Sequence, residues 1–438
     1  MTTPGRTTTD LDMAAVCRFL DTHEVSALEV QPTRTLVPFV GLELATICSG
    51  IGNGISMVAF PWLVLQLTGS ATAAGLVAAI TAVPLLLSFL FAGVAVDIFG
   101  RRPMAVGSDL MSMVSVALVP ILSSIFGLGI GLIAFLAVLG AVFDPAGISA
   151  RESMIPEAAA AGRLRLERVN GIHEAIWGSA YLIGPGVGGL AIGFVGAAGT
   201  FWISACLFAI GALTMTLIRV PGSARPPVHE RPDGVLRSTR EGISFVWNDR
   251  VLRSVAILSM IVVGFWLPVE GVVFPVYYQA MDNPEKLGIT VMALAGGGII
   301  GALIYSAIGH RFRRRPAFVL ALLITGIAVV GMALLPPFPV LLLFGLIAGF
   351  AYGPVGPLVN ISMQERTPTE LRGRVVGLIT SAAYVTGPVG YLVAGPLIQS
   401  IGLEPAFMVM AVGVLVVGVL AVFMPSLRGM DETQARTG

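Results

Sequence analysis

The sequence predicts an all-α polytopic membrane protein whose twelve transmembrane helices form two pseudo-symmetric six-helix bundles. Hydrophobic residues make up 55% of the 438 residues, whereas charged residues make up only 12%. Soluble proteins carry about 25% charged residues, so this chain has too few charges to cover a water-facing surface. Its apolar residues fall in long blocks, without the period-two alternation of an outer-membrane barrel. Helices in contact with lipid fit both observations.

The lengths of the apolar blocks predict the spans. A helix needs about 20 apolar residues to cross the hydrocarbon layer, and a polar central segment divides the blocks that reach this length into two sets of six. The predicted spans of the first set are 37–67, 72–96, 103–126, 128–149, 170–195 and 199–219. The predicted spans of the second set are 253–280, 287–309, 316–335, 339–363, 374–400 and 404–424.

The basic residues predict the orientation of the chain. If the N-terminus is cytoplasmic, every lysine and arginine except Lys286 falls on the cytoplasmic side, as the positive-inside rule requires. We therefore expect a multi-pass protein of the cytoplasmic membrane with both termini inside. The predicted regions are an N-terminal extension (1–36), a first bundle (37–219), a cytoplasmic central loop (220–252), a second bundle (253–425) and a cytoplasmic tail (426–438).

Three short motifs recur in the same order in both sets of spans, which indicates an internal duplication. Two homologous bundles that face each other predict a central cavity and a rocking, alternating-access motion. The matching pairs are Phe99–Pro103 with Phe312–Pro316, Phe60–Pro61 with Phe274–Pro275, and Tyr181–Pro185 with Tyr384–Pro388.

The loop after the second span carries a recognisable motif. Gly93, Asp97, Gly100, Arg101 and Arg102 stand in the order G-x-x-x-D-x-x-G-R-[RK], which resembles a signature of the major facilitator superfamily. The resemblance implies a gating loop in which Asp97 meets a helix N-terminus or an arginine of the other half and latches one conformation. The position after Asp97 lacks the basic residue of many members, and the second-half copy of the loop has no acid.

A second motif narrows the resemblance. Gly184, Pro185, Gly188 and Gly189 in span 5 resemble the antiporter motif of the same superfamily, with Ala180 in place of its leading glycine. With five further stretches, the sequence resembles Tap-type multidrug efflux pumps of the drug:proton antiporter group and, more distantly, macrolide exporters. The resemblance implies proton-driven export of amphiphilic drugs such as tetracyclines or aminoglycosides. The further stretches are 59–65, 143–147, 154–158, 241–247 and 371–375.

Acidic residues inside the spans are candidates for proton coupling. Apart from the arginines at the ends of three spans, no lysine or arginine falls within the predicted spans, but Glu270, Glu43 and Asp109 do. Acids in the hydrocarbon layer are costly and usually functional, and without a basic partner they can exchange protons near neutral pH. Glu270 is the first candidate because it lies deep in span 7, between Pro268 and Gly271. Exposure to water, or for Glu43 and Asp109 pairing with loop arginines, is the alternative.

Aromatic and amide side chains at similar depth are candidates for a substrate cavity. Asn53 stands where related exporters often have an acid, and its amide cannot carry a proton. Asp144 is expected to cap a helix or to pair near Arg151. Packing or a position at the membrane interface is the alternative for each aromatic residue. The candidate cavity residues are Asn53, Phe60, Trp62, Trp266, Tyr181 and Tyr384.

Other classes of function lack their sequence signals. Lys286 is the only lysine and has no P-loop context for an ATP-driven pump. No metalloprotease or nucleophile-elbow pattern predicts an enzyme, and the net charge of +1 does not favour nucleic acid. We expect a monomer without cofactor or metal, with a small molecule, protons and the bilayer as its partners. Export of a native metabolite or siderophore, proton-coupled import, a passive channel and a non-transporting sensor or scaffold stay open as alternatives.

Overall fold

The structure, a computed structural model, describes residues 35–220, 243–368 and 372–431, and the regular structure in these ranges is helical without a strand. Most of the predicted extension (1–36) and of the predicted central loop (220–252) lies outside the described residues. The end of the predicted tail (426–438) and Leu371 of the stretch 371–375 also lie outside them.

Six helices, α1 to α6, make up the first half of the described chain. Pro38 lies in the first turn of α1, where its missing N–H has no helical partner to lose. Ser70 caps α2 by accepting a hydrogen bond from the backbone N–H of Ala73 at 3.2 Å. The six helices are α1 (Val37–Thr68), α2 (Ala71–Phe99), α3 (Arg101–Ile125), α4 (Ile130–Ser153), α5 (Ile155–Ala161) and α6 (Leu166–Leu217).

The second half begins at residue 243 and contains eight longer helical segments, α7 to α14. Asp249 caps α7 by accepting the backbone N–H groups of Val251 and Leu252. A π-helix, Val269–Val273, directly follows α7. The helices are α7 (Arg250–Pro268), α8 (Phe274–Gln279), α9 (Pro284–Ile308), α10 (Arg314–Ala333), α11 (Phe338–Tyr352), α12 (Val355–Arg366), α13 (Arg372–Ile401) and α14 (Leu403–Phe423).

The helices follow the predicted spans closely. In the described ranges, 10 helical segments are long and apolar enough to cross a membrane. One of them, Arg168–Leu217, lies within α6, whose 52 residues are interrupted at Gly196, with φ of 76° and ψ of 165°. Such angles are accessible almost only to glycine, so α6 holds two consecutive predicted spans. The all-helical membrane fold is confirmed. The count of twelve spans rests on dividing α6 at Gly196 and adding the 30-residue α13.

The apolar core is arranged differently at the two ends of the molecule. Following the predicted topology, we call the end that carries Thr68, Gly196 and Gly402 the outer end, and the opposite end the inner end. Toward the outer end, one hydrophobic cluster passes through both halves, from Val58 to Ala411. Toward the inner end, each further cluster of described residues belongs to one half. The halves are therefore joined at the outer end and have separate cores at the inner end.

Two helix pairs make most of the contact between the described halves, α2 with α13 and α6 with α9. Glycines bring the backbones together in the first pair. A Cβ atom at Gly75 would lie 2.5 Å from the carbonyl oxygen of Tyr391, and a Cβ atom at Gly395 would lie 2.5 Å from that of Ala71. Small residues allow such close approach of helices in a membrane, so this contact leaves no room for a larger side chain.

A polar contact lies beside these glycines at the outer end. The hydroxyl of Thr72 donates to Oε1 of Gln399 at 2.8 Å, and Nε2 of Gln399 donates to Oγ of Ser70 at 2.7 Å. These three residues, which we call the outer latch, connect α13 to the start of α2. In this structure the passage between the halves is therefore closed at the outer end.

Candidate functional site

Glu270 lies where the two halves meet. It is the second residue of the π-helix that follows Pro268, and its side chain is 6% exposed. A π-helix is rare and often marks a functional site. The hydroxyl of Tyr181, on α6 of the first half, donates a hydrogen bond to Oε1 of Glu270 at 3.1 Å. The predicted proton-coupling residue therefore makes a direct polar contact between the halves.

Further aromatic side chains surround this carboxyl group. The side chain of Trp266, one turn earlier on α7, is also near enough to interact with Glu270. Tyr384 and Tyr391 of α13 are near enough to interact with it electrostatically. A Cβ atom at Gly271 would lie 2.7 Å from the Tyr391 ring. The structure thus brings Trp266, Tyr181 and Tyr384 of the predicted cavity together around Glu270, whereas the sequence did not single out Tyr391.

Asp109 has a basic partner inside the first half. Nη1 of Arg151 lies 3.0 Å and 3.1 Å from the two carboxylate oxygens of Asp109, and Ser49 donates to the same carboxylate at 2.7 Å. Both charged side chains are buried. Arg151 follows the predicted span 128–149, in the part of α4 that continues to Ser153, so Asp109 has the arginine partner that was the alternative to proton coupling. The paired carboxylate offsets the cost of burying the guanidinium.

Glu43 also has a partner that the sequence analysis did not assign. Its two carboxylate oxygens lie 3.1 Å and 3.2 Å from Nδ1 of His173, on α6. Both side chains are buried. His173 stands beside Glu174 at the start of a span, and only the fold shows that it faces α1. The two buried acids nearest the inner end are thus each bound to a basic side chain.

The side chain of Asn53 contacts an acidic residue on a neighbouring helix, Asp144. Its side-chain amide donates to Oδ1 of Asp144 at 2.8 Å, from α1 to α4. Asp144 was expected to cap a helix or to pair near Arg151; Arg151 is near enough to interact with it electrostatically, while the guanidinium itself binds Asp109. An amide on α1 and a carboxylate on α4 therefore meet at the position where the resemblance to related exporters implies one acid on α1.

The other two aromatic candidates lie in the apolar part of the first half. The ring of Phe60 packs on that of Phe201, with ring centroids 4.7 Å apart. Trp62 is buried in the cluster that joins the halves. Both positions provide packing contacts here, and a role for these two residues in the substrate cavity stays a prediction.

The residues of the gating motif lie around the turn between α2 and α3. Gly100 makes this turn with φ of 92°, and a Cβ atom at Gly93 would meet no atom within 4 Å. Arg101 pairs with Glu157 of α5. Arg102 donates from Nε to the carbonyl oxygen of Met215 at 3.0 Å. Asp97 is exposed and forms no ion pair with any of the described residues, so its latch role stays a prediction.

The glycines of the antiporter motif place α6 between the halves. A Cβ atom at Gly184 would lie 2.8 Å from Cα of Gly54, and one at Gly188 would lie 3.1 Å from Cα of Ile55, both on α1. Gly189 faces the opposite way, against the carbonyl oxygen of Pro284 at the start of α9. Pro185 of α6 and Gly288 of α9 are also in close contact, since a Cβ atom at Gly288 would lie 2.6 Å from the carbonyl oxygen of Pro185. This surface of small residues allows α6 to contact its own half and the other half at once.

Two helical halves that meet at one end, with a buried carboxyl group between them, define a polytopic membrane transporter. The chain belongs to the Major Facilitator Superfamily, whose family model matches residues 42–391 and, in a second match, 271–435. The superfamily predicted from the sequence motifs is thereby confirmed.

Similar proteins support the same assignment. The multidrug efflux pump Tap of Mycolicibacterium fortuitum is 43% identical over 397 residues, which are 90% of this chain and 97% of that protein. The macrolide efflux protein A of Streptococcus pyogenes is 20% identical over 403 residues, 89% of this chain and 98% of that protein. Among solved structures, a variant of the nucleoside transporter NupG gives a TM-score of 0.74 at 12% identity and covers 89% of this chain and 100% of that chain. At that identity the likeness shows the fold alone. The predicted resemblance to Tap-type pumps and to macrolide exporters is confirmed.

Proposed function

We propose that this protein exports small amphiphilic drugs, tetracycline- or aminoglycoside-like antibiotics among them, in exchange for protons. It acts as a monomer in the cytoplasmic membrane, with both termini inside. The observation that carries the proposal is the hydrogen bond from Tyr181 to the buried Glu270 across the two halves. The names of the relatives at 43% and 20% identity support drug efflux as the direction and purpose of transport.

The contact between Tyr181 and Glu270 links protonation to conformation. A carboxylate accepts hydrogen bonds only, whereas a protonated carboxyl group also donates one and has no charge to keep solvated. The bond from Tyr181 is therefore stronger when Glu270 is ionised. A proton or a cationic substrate at Glu270 therefore changes the strength of this contact between the halves. Because the contact differs between the two conformations of a transporter, such a change shifts the equilibrium between them.

The proton gradient supplies enough free energy for this exchange. Moving one charge across 100 mV releases roughly 2.3 kcal/mol. This free energy supports a concentration of a neutral drug about fiftyfold higher on one side of the membrane than on the other. One proton per drug molecule is sufficient for useful export.

Drug uptake into inverted membrane vesicles tests the proposal. An acidic lumen should drive accumulation of a fluorescent tetracycline, accompanied by proton release, for wild type but not for Glu270→Gln. Glu404→Gln is the matched control, because Glu404 is exposed at the outer end of α14 and should transport like wild type. Proton-driven uptake that persists in Glu270→Gln removes Glu270 from the mechanism. A wild-type protein that moves no drug of a broad panel contradicts drug export itself.

A further inference from the structure

The acidic side chains inside the spans differ in the groups that bind them. Among the described residues of the predicted spans, the acids that are not exposed are Glu43, Asp109, Asp144 and Glu270. The first two lie 3.1 Å and 3.0 Å from a basic side chain. Asp144 and Glu270 form no ion pair in the described ranges, and each accepts a hydrogen bond from a neutral side chain of another helix. The first half therefore contains one intramembrane carboxyl group whose partners resemble those of Glu270.

Asp144 lacks a bound cation because the arginine that acts on it is bound to another acid. Arg151, two turns further along α4, contacts both carboxylate oxygens of Asp109. Burial disfavours the charged form of a carboxyl group, whereas a bound cation favours it. Asp144 is half-buried and has only the amide of Asn53 as a direct partner among the described side chains. Such a carboxyl group is suited to gain and lose a proton.

Few charged groups face Asp144 from the helices that pack on α4, which are α1, α2, α3 and α5. Asp109 from α3 and Arg151 from α4 itself act on Asp144 electrostatically. Because these two side chains are paired with each other, their effects on Asp144 largely cancel. The further charged side chains of the same five helices all lie toward the inner end, and they are Glu43, Asp97, Arg101, Arg102, Glu152 and Glu157.

Asn53 can form a hydrogen bond to both protonation states of Asp144. In the structure its amide N–H donates to Oδ1 of Asp144 at 2.8 Å, as an ionised carboxylate requires. A protonated carboxyl group donates a hydrogen bond, and the carbonyl oxygen of an amide accepts one. Rotation of the amide of Asn53 therefore keeps the contact when Asp144 takes up a proton. A second carboxylate at position 53 would repel the first.

A narrow crevice between α1, α4 and α6 gives this pair a connection to the inner end. It extends from Glu152, which is exposed, to Asn53. The crevice has room for about one water molecule, which is enough to carry a proton but not to hold a drug. A proton can thus reach Asp144 from the inner side without passing the cluster around Glu270.

We propose that Asp144 is a second proton-binding residue of this exporter and that Asn53 positions its carboxyl group. The inference rests on the proposed function, because it adds a proton site to the same exchange. Uptake forms one O–H bond on Asp144 and replaces the N–H donor of Asn53 by its carbonyl acceptor, and release reverses both changes. Each half then contributes one carboxyl group without an ion pair, Asp144 in the first and Glu270 in the second.

Infrared difference spectra of the purified full-length protein in lipid nanodiscs test proton binding without any transport. Lowering the pH from 8 to 5.5 should produce a C=O stretching band for each carboxyl group that takes up a proton. Asp144→Asn should remove one of these bands. Asp282→Asn is the matched control and should keep them all. Asp282 is exposed near the outer end, and its φ of 50° is one that asparagine adopts readily.

Tetracycline transport in inverted vesicles tests what this proton does. Asp144→Asn should lower uptake driven by an acidic lumen about tenfold. Exchange of labelled for unlabelled tetracycline without a pH difference needs no net proton transfer, so it should stay within about twofold of wild type. Combining Asn53→Asp with Asp144→Asn returns a carboxyl group to the same contact from α1 and should restore proton-driven uptake. Asp282→Asn should transport like wild type.

The proton site at Asp144 is ruled out if Asp144→Asn keeps every infrared band of wild type or keeps full proton-driven uptake. Loss of uptake and exchange together, without recovery in the double variant, would show that Asp144 has only a structural role. Transport that persists in Glu270→Gln but fails in Asp144→Asn supports Asp144 and contradicts the role of Glu270. A wild-type protein that moves no drug contradicts the proposed function, whereas a band lost in Asp144→Asn still supports the proton site.

Discussion

Arg102 and Arg315 make the same contact in the two halves of the chain. Arg102 donates from Nε to the carbonyl oxygen of Met215 at 3.0 Å, near the end of α6. Arg315 donates from Nη2 to the carbonyl oxygen of Val422 at 3.0 Å, near the end of α14. The last four carbonyls of a helix have no partner within it, so each arginine satisfies an orphaned acceptor on the last long helix of its half.

The preceding arginines repeat the equivalence. Arg101 pairs with Glu157, which follows α4, and Arg314 pairs with Glu365 near the end of α12, with Nη2 and Oε1 2.8 Å apart. The two loops thus make matching ionic and backbone contacts, although His310 stands in the second half where the first has Asp97. Matching contacts support our proposal that the chain consists of two homologous bundles.

These matching contacts predict matching losses of stability. Arg102→Gln and Arg315→Gln should each lower the free energy of unfolding, by about 2 kcal/mol for Arg102, which donates to both Met215 and Thr216, and by about 1 kcal/mol for Arg315, at about 1 kcal/mol for each hydrogen bond. The measurement is denaturant unfolding of the purified protein in detergent. Arg311→Gln is the control, because Arg311 is exposed and makes no hydrogen bond with another described residue. A large loss of stability for one of the two variants and none for the other would contradict the equivalence of the two loops.

The sequence predicts the positions of the helices because lipid imposes a length on each apolar block. The predicted span 37–67 is α1 (Val37–Thr68), and 404–424 is α14 (Leu403–Phe423), each within two residues at either end. The end of α4 is different. Charged residues after position 149 indicate a loop, but α4 continues to Ser153, and Arg151 in this extension pairs with Asp109 on α3. That partner is 42 residues away and leaves no local signal.

The candidate site could be predicted as a set of residues but not as a set of contacts. Intramembrane position alone identifies Glu270, and a repeated motif identifies Tyr181, but nothing in the sequence places these two side chains 3.1 Å apart. Likewise, the sequence shows that position 53 has an amide instead of an acid. The hydrogen bond from Asn53 to Asp144, however, depends on how α1 packs on α4. Contacts between distant segments follow from packing, which local patterns do not encode.

The buried pair of Asp109 and Arg151 should be costly to break. Arg151→Met leaves an uncompensated buried carboxylate and should lower the free energy of unfolding by about 3–5 kcal/mol. Adding Asp109→Leu to Arg151→Met should restore most of that loss. Arg313→Met is the control, since Arg313 is 78% exposed in its pair with Asp431 and such pairs are worth about 0–1 kcal/mol. Denaturant unfolding in detergent measures all four proteins. Equal effects of the buried and the exposed substitutions would argue against a buried ion pair.

Removing one hydroxyl group tests the contact between the halves. Tyr181→Phe keeps the ring but loses the bond to Glu270, and we expect transport to slow about tenfold, because a bond to a charged group is worth roughly 1.5–3 kcal/mol. Tyr278→Phe loses a bond of similar length, 2.7 Å to Thr290, but within one half. Initial rates of drug uptake into inverted vesicles distinguish the two. Identical rates for both variants would mean that the bond to Glu270 has no special role.

Closure of the outer end should depend on the glycines between α2 and α13. A leucine at Gly395 would place its Cβ 2.5 Å from the carbonyl oxygen of Ala71, and overpacking of this kind costs about 1–3 kcal/mol. The population of the conformation with a closed outer end should therefore fall about five- to 150-fold relative to the conformation with an open outer end. Gly107→Leu is the matched control, because a Cβ atom there meets nothing within 4 Å.

A cysteine at Ala74 reports this change, because Ala74 is 1% exposed beside the contact. In a background whose other cysteines are replaced by serine, a membrane-impermeant maleimide added outside intact cells should label Ala74→Cys slowly. Adding Gly395→Leu should make the labelling fast, whereas adding Gly107→Leu should leave it slow. Fast labelling in all three proteins would show that the outer end is open under these conditions. Labelling only from the cytoplasmic side would show that the predicted orientation of the chain is inverted.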